Sequence, residues 1–267
     1  MRYLYRIGIF ILLMAATLYA PDALTAGERW EQIGDGLSVG HFDVQNRMNE
    51  GVLKITILRI DPAKYGFRLL CASEQDNQSR SITEWAKSFG LVAAINAGMY
   101  HKDGMTSVGY MKNRQHVNNS RLNNYKDLLA FDPVDSNLPL IQIIDRECQD
   151  FDKLKPKYRS IFQGIRMISC KGENVWKQQA DKWNTAAVGI DKEGNALFIF
   201  GETPSSVHDL IEALLALPIS IQNAMYLEGG APASFYLSQN GVEVELHGQG
   251  GPNLAASIPN VLGIVKK

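Results

Sequence analysis

The chain has 267 residues, with 27 Lys and Arg against 28 Asp and Glu, a formal net charge of -1, 45% hydrophobic residues and 21% charged ones. That composition excludes a collagen, a coiled coil or a disordered tail. Its near-neutral balance also argues against a dedicated nucleic-acid binder, which needs a basic face to neutralise phosphates.

The first residues form a region of their own. Arg2 and Arg6 lead into the uncharged apolar run from Ile7 to Leu18, and small residues come next in Ala23-Leu24-Thr25-Ala26. This order predicts a signal peptide over residues 1–26, cleaved after Ala26. The run is shorter than the about 20 apolar residues of a membrane span. An uncleaved anchor is the competing reading of the same residues. Cleavage would remove Arg2, Arg6 and Asp22 and leave a formal net charge of -2. No later run reaches spanning length, so residues 27–267 are expected to be exported, periplasmic or secreted, with no membrane span.

Strand-like runs dominate the rest of the chain. Val52 to Ile60 is rich in β-branched residues and partly alternates, as a strand does. Tyr65 to Ala72 is a second such run. Ser81-Ile82-Thr83-Glu84 has capping-box spacing, which starts a short helix that Gly90 stops. Leu91 to Ile95 is short and apolar, a buried strand. Ala186 to Ile190 and Ala196 to Phe200 flank Asp191-Lys192-Glu193-Gly194, a hairpin turn. Thr203-Pro204 then predicts a longer helix, with threonine as its cap and proline in its first turn. Val207, Leu210, Ile211, Leu214 and Leu215 make its apolar stripe, and Pro218 ends it. Asn223 to Leu227 reads as an apolar strand. Ser234 to Leu237 and Val242 to Leu246 flank a second hairpin turn, Gln239-Asn240-Gly241, and Ile258 to Val265 is the last strand. No linker or internal repeat interrupts the series. The expectation is a single α+β domain over 27–267, with a mixed, mostly antiparallel sheet and a few helices. Of the three cysteines, Cys148 and Cys170 flank a connection and a strand and are the expected disulfide; Cys71, inside an apolar run, reads as a buried thiol.

Three places break this pattern. Asn96-Ala97-Gly98-Met99-Tyr100 leaves a buried strand directly, and His101-Lys102-Asp103-Gly104 and Ser107-Val108-Gly109-Tyr110 come after it. Loops at strand ends are held rigid and often carry function, and the Asn96 amide can both donate and accept. The plainer reading makes Asn96 a turn cap and Gly98 and Gly104 positions of positive φ. At Tyr226-Leu227-Glu228-Gly229-Gly230 a strand ends in a carboxylate and two glycines. Their amides could nest an anion while Glu228 acts as acid, base or metal ligand; an ordinary turn is the alternative. In Phe162-Gln163-Gly164-Ile165-Arg166, Arg166 could clamp a phosphate or form a surface ion pair. No HExxH, GxSxG, phosphate loop or dinucleotide fingerprint is present.

Taken in order, these segments resemble the phosphodiester glycosidase family. Asn96-Ala97-Gly98-Met99-Tyr100 is similar to the family's Asn-Gly/Ala-Gly-aromatic segment, and Asp103-Gly104 and Gly109 to the glycine-bearing loop after it. Phe162-Gln163-Gly164 resembles the middle segment, Thr185 to Asp191 the Arg-Thr-Ala-Ile-Gly-Val-Asp hairpin, Leu227-Glu228-Gly229-Gly230 the closing Leu-Asp-Gly-Gly-Gly-Ser segment, and Ser257-Ile258-Pro259-Asn260 the terminal Arg-x-Val-Pro-Asn. The match runs from about Val52 to Val265. The chain departs from it at Asn184 in place of Arg, Glu228 in place of Asp, Ala231 and Pro232 in place of Gly and Ser, and Gly201-Glu202 in place of Asp-Gly. Pro232 lacks an amide hydrogen.

The resemblance implies an exported hydrolase that cleaves a sugar-1-phosphodiester of a cell-envelope or extracellular glycan. A phosphate ester leaves with little protonation, so the site must chiefly stabilise an oxocarbenium-like transition state and hold the phosphate. On this reading Glu228 is the carboxylate base or nucleophile, Asp103 the candidate second carboxylate, and Asn96 orients the sugar or a carboxylate. Arg166, Gln163, Gly98, Gly229 and Gly230 bind the substrate and its phosphate. Glu202 and His101 are reserve candidates, Glu202 for acid–base work or a divalent cation. The departures motivate an alternative, a non-catalytic envelope module that binds glycan phosphates or a protein partner.

Overall fold

A computed structural model describes residues 30–45, 51–249 and 256–267. The expected signal peptide over 1–26 lies outside the described residues. The strands are β1 (Trp30–Gly34), β2 (Leu37–Gln45), β3 (Val52–Ile60), β4 (Tyr65–Cys71), β5 (Ala93–Asn96), β6 (Met111–Asn113), β7 (His116–Asn119) and β8 (Asp127–Pro133). Then come β9 (Ile141–Asp145), β10 (Tyr158–Ile168), β11 (Trp183–Asp191), β12 (Ala196–Ser205), β13 (Ile221–Gly229), β14 (Ser234–Gln239), β15 (Val242–His247) and β16 (Asn260–Lys266). The helices are α1 (Ile82–Phe89), α2 (Phe151–Leu154) and α3 (Val207–Ala216).

Eleven strands form one sheet, in the order β1-β2-β3-β12-β11-β13-β10-β6-β7, with β8 also on β10 and β9 on β8. The other five form a smaller sheet, β15-β14-β5-β16-β4. Every named ladder among the described residues is antiparallel, so the parallel pairing of the expected mixed sheet is not found there. One core cluster joins the sheets face to face. It takes Leu58, Val188, Phe198 and Leu227 from the large sheet and Ile95, Phe235 and Leu262 from the small one. The opposite face of the large sheet is covered by α3 through Val207, Leu210, Ile211 and Leu214. The outer face of the small sheet is covered by α1 through Ile82, Trp85 and Ala86. The layers are therefore helix, sheet, sheet, helix.

Local signals act as the sequence predicts in several elements. The Ser81 hydroxyl caps α1 by accepting the Glu84 amide, the Glu84 carboxylate returns the bond, and Gly90 ends the helix at φ +62°. Asn240 and Gly241 both take positive φ, as a tight hairpin turn requires. The start of α3 is a correction. The cap is Ser206, whose hydroxyl accepts the Asp209 amide at 3.0 Å, and Thr203 and Pro204 lie inside β12. Thr203 is kept extended by β3: its hydroxyl donates to the Val52 carbonyl at 3.2 Å and accepts the Lys54 amide at 3.0 Å. The sulfurs of Cys148 and Cys170 are joined, and Cys71 is a buried free thiol 3.7 Å from the Met111 sulfur.

Candidate active site

β13 belongs to the large sheet and β14 to the small one, so residues 230–233 link the two sheets. Gly230 makes the turn at φ +67°, and the Ala233 amide closes it onto the Gly230 carbonyl at 3.0 Å. Glu228 is the last residue but one of β13. There the pairing with β11 slips: Ala186 lies opposite Glu228 but Ala187 lies opposite Tyr226, which leaves Leu227 unmatched. Bulges of this kind re-aim side chains and recur beside functional sites.

The Glu228 carboxylate accepts the Gly229 amide at 3.0 Å. Burial raises its pKa to about 7, and that hydrogen bond offsets only part of the effect. Two phenols feel its charge. Tyr100 and Tyr226 are both raised, first by burial and then by Glu228. Trp176 packs on Tyr226 with ring centroids 5.6 Å apart. A Cβ on Gly229 would collide with the Trp183 indole and the Tyr226 hydroxyl, so only glycine fits there. Glu228 thus lies within electrostatic reach of two phenols, one of which packs on Trp176.

Asn96, at the end of β5, reaches the same turn. Its side chain is 2% exposed, and its Oδ1 accepts the Ser234 amide at 3.1 Å. Its Nδ2 is buried without a partner. Gly98 comes next but one at φ +74°, with the Gln163 carbonyl 3.5 Å from where a Cβ would stand. Gln163 braces the surrounding loop. Its Oε1 accepts the amides of Tyr110 (3.0 Å) and Asn123 (3.2 Å), and its Nε2 donates to the carbonyls of Asn123 (3.2 Å) and Tyr125 (2.7 Å).

The other candidates are engaged elsewhere. His101 and Asp103 lie in an exposed loop, where Asp103 accepts the amides of Met105 and Thr106, both at 2.9 Å. The Thr106 hydroxyl and these amides hold its pKa down to about 2. Glu202 accepts the Thr56 hydroxyl at 2.6 Å, and Thr56 meets His41 Nδ1 at 2.8 Å. Arg166 spans Asp145 (3.1 and 3.2 Å) and Glu147 (2.8 Å). The Gly229 amide serves Glu228, and the Gly230 amide donates to the Asn184 carbonyl at 2.9 Å. Asn184 Nδ2 in turn donates to the Glu202 carbonyl at 2.6 Å. The structure therefore gathers Glu228, Asn96, Gly229 and Gly230 about one turn, and gives Arg166, Asp103 and Glu202 partners of their own. Among the described residues the one cluster of metal-ligating types is Asp145, Cys148 and Cys170. Its sulfurs form the disulfide and Asp145 pairs with Arg166, so it offers no thiolate to a cation. Trp176 and Trp183 were not singled out from the sequence, and Tyr226 and Thr185 stood in quoted segments without a role of their own. Their signal was proximity to the two motifs, since Trp183 precedes Thr185-Ala186 and Tyr226 precedes Glu228.

The sequence profile of the phosphodiester glycosidase family matches residues 89–265, more than half of the chain. No curated protein matches the chain in sequence. Among solved structures, the catalytic domain of zebrafish N-acetylglucosamine-1-phosphodiester alpha-N-acetylglucosaminidase, auto-inhibited by its pro-peptide, is similar with a TM-score of 0.67 and 15% identity, over 91% of this chain and 87% of that one. A hypothetical protein from Synechocystis is similar with a TM-score of 0.61 and 14% identity, over 87% of this chain and 62% of that one. A candidate exported protein of Burkholderia pseudomallei is similar with a TM-score of 0.57 and 8% identity, over 83% and 75%. At these identities the three structures speak to the fold alone.

Proposed function

The chain belongs to the phosphodiester glycosidase family, and from that premise we propose that it is an exported hydrolase cleaving a sugar-1-phosphodiester of a cell-envelope or extracellular glycan. The observation that carries the reading is Glu228, a carboxyl at a strand end beside two phenols, with its pKa raised by burial to about 7. Such a group can exchange a proton at neutral pH. As the carboxylate it takes a proton from water while that water attacks C1. The C1–O bond breaks, its electron pair leaves with the phosphate, and the products are a free sugar and a phosphomonoester. The phosphate leaves without a strong acid, which fits a site where Asp103 and Glu202 are bound up in their own contacts.

Export is supported by the basic start, apolar run and small residues of 1–26. Among the described residues no helix is long and apolar enough to cross a membrane. A second reading, a binding module without turnover, is favoured by the internal partners of Arg166 and of the Gly229 and Gly230 amides. Incubating residues 27–267 with a panel of sugar-1-phosphodiesters, with and without divalent metal, separates the two. Release of free sugar supports the hydrolase, and binding across the panel without release supports the module.

A further inference from the structure

Cations gather at the start of β10. Tyr226 of the Glu228 strand pairs with Ile165, and Arg159 lies further along β10, about 20 Å away at about 3.3 Å per residue. There β10 is flanked by the β6–β7 turn and by the end of β8. The Arg114 amide donates to the Arg159 carbonyl at 2.8 Å, and the Val134 amide to the Lys157 carbonyl at 3.0 Å. A groove of about 570 Å³ opens between them. Its lining includes Lys112, Arg114, Arg159, Val134 and Pro156, and no carboxylate of the described residues. Lys157 is exposed beside it. The neighbouring acids have partners. Asp132 takes Arg114 at 2.9 Å and Arg159 at 3.2 Å, Glu74 accepts the Asn113 side chain at 2.7 Å, and Asp135 accepts the Asn137 amide at 2.9 Å. Arg114 and Asp132 both hold left-handed backbones, at φ +53° and +57°. That conformation costs a non-glycine residue free energy, persists only where the surroundings impose it, and clusters at functional sites.

Apolar side chains stand out of the same surface. Val134 is 51% exposed, Val117, the cross-strand partner of Lys112, is 47% exposed, and Leu140, which shares a cleft with Arg114, is 38% exposed. Cations alone would suit any polyanion. Cations around protruding apolar tips suit a bilayer, where anionic headgroups pair with the charges and the tips reach the acyl boundary. The whole chain has a formal net charge of -1, so this concentration of positive charge is local.

We propose that this face, with Lys112, Arg114, Lys157 and Arg159 around Val134 and Val117, is a peripheral docking surface for a bilayer that bears anionic lipid headgroups. The cations supply attraction within a Debye length of the membrane, and the apolar tips supply shallow insertion. The groove shares no residue with the Glu228–Ser234 turn, so the docking surface does not depend on the hydrolase reading.

The test is cosedimentation of residues 27–267, which contain every described strand and helix, with vesicles of phosphatidylcholine alone and of equimolar phosphatidylcholine and phosphatidylglycerol. Leaving out the apolar run from Ile7 to Leu18 keeps its own affinity for lipid out of the measurement. Binding is expected on the anionic vesicles only, and it should weaken as NaCl is raised. Each cation near an anionic surface contributes about fivefold in affinity. Lys112→Gln combined with Lys157→Gln should therefore weaken binding about tenfold to thirtyfold, while leaving the two arginines on Asp132. Val134→Ser should weaken it about threefold to fivefold by removing an apolar tip. Lys171→Gln combined with Lys192→Gln, which removes two exposed charges elsewhere, should leave it unchanged. Thermal melts confirm that each variant is folded. The proposal is overturned if the protein ignores the anionic vesicles, binds both kinds equally, or loses as much affinity with the second lysine pair as with the first. Full vesicle binding by Val134→Ser, with equally tight capture of the protein by immobilised polyglutamate, would assign the face to a soluble polyanion and overturn it as well.

Discussion

Asp127 and Asp145 face each other across the β8–β9 ladder, 0% and 1% exposed. Asp145 takes Arg166, while neither oxygen of Asp127 has a partner. Burial, and then the Asp145 charge, push the Asp127 pKa up to about 9 against the opposing pull of Arg166. An unfolded aspartate titrates near about 3.9. Between the two values the native state keeps a proton that the unfolded chain has lost. The stability it contributes is complete below about 4 and is lost as pH rises through about 9. Asp127→Asn keeps the shape and removes the titration. The loss of denaturation midpoint from pH 5 to pH 8 should be smaller in the variant than in the wild type, and an equal loss in both would contradict this account.

Glu228→Gln removes the proton acceptor and keeps the size. Hydrolysis of a responsive diester should fall by about 10²- to 10⁴-fold, the usual contribution of a positioned acid–base group, with the melting temperature preserved. Undiminished activity would remove Glu228 from the mechanism.

The pH profile has a defined sign. If Glu228 works as the carboxylate, kcat/KM climbs with pH and levels off above a midpoint near 7, where its raised pKa lies. A profile that falls through that midpoint would assign Glu228 as the acid; one with a midpoint near 4 would mean that an ordinary carboxylate does the work.

Arg166→Met should act on stability. Its removal leaves Asp145 buried and without its cation. Breaking a buried pair costs about 3–5 kcal/mol, and because Arg166 is itself 15% exposed about 2–4 kcal/mol is expected. Chemical denaturation measures it. A variant of full stability with a selectively raised KM would return Arg166 to the substrate.

Ser206→Ala tests the corrected start of α3. Loss of the cap should cost about 1 kcal/mol, read from the shift in denaturation midpoint at unchanged slope.

Features were legible in the sequence to the extent that their causes were local. Ser81, Glu84 and Gly90 specify α1 within ten residues of chain, and Asn240-Gly241 carries its own turn. Glu228 was legible because a carboxylate ending an apolar strand is out of pattern. Thr203 misled because its competing partners, Val52 and Lys54, are about 150 positions away. The partners of Arg166 were hidden similarly: Asp145 lies 21 positions away and meets it only when β8 holds β9 and β10 on its two sides. Thr185 opened a recognised segment, but the unpartnered state of its buried hydroxyl is a property of three-dimensional neighbours and leaves no mark on the sequence.

The link between β13 and β14 makes Glu228 and Asn96 passengers on different sheets. Glu228 rides on the larger one and Asn96 on the smaller, and the short strap between Gly229 and Ser234 is tied to both. Any sliding of one sheet over the other would change the spacing of these two groups directly. Close packing between Leu227, Ile95, Phe235 and Leu262 therefore sets the gauge of the site as well as the stability of the fold. A volume change at one of these apolar positions, with no polar group touched, is a route by which a chain of this fold could be retuned to a sugar of different width.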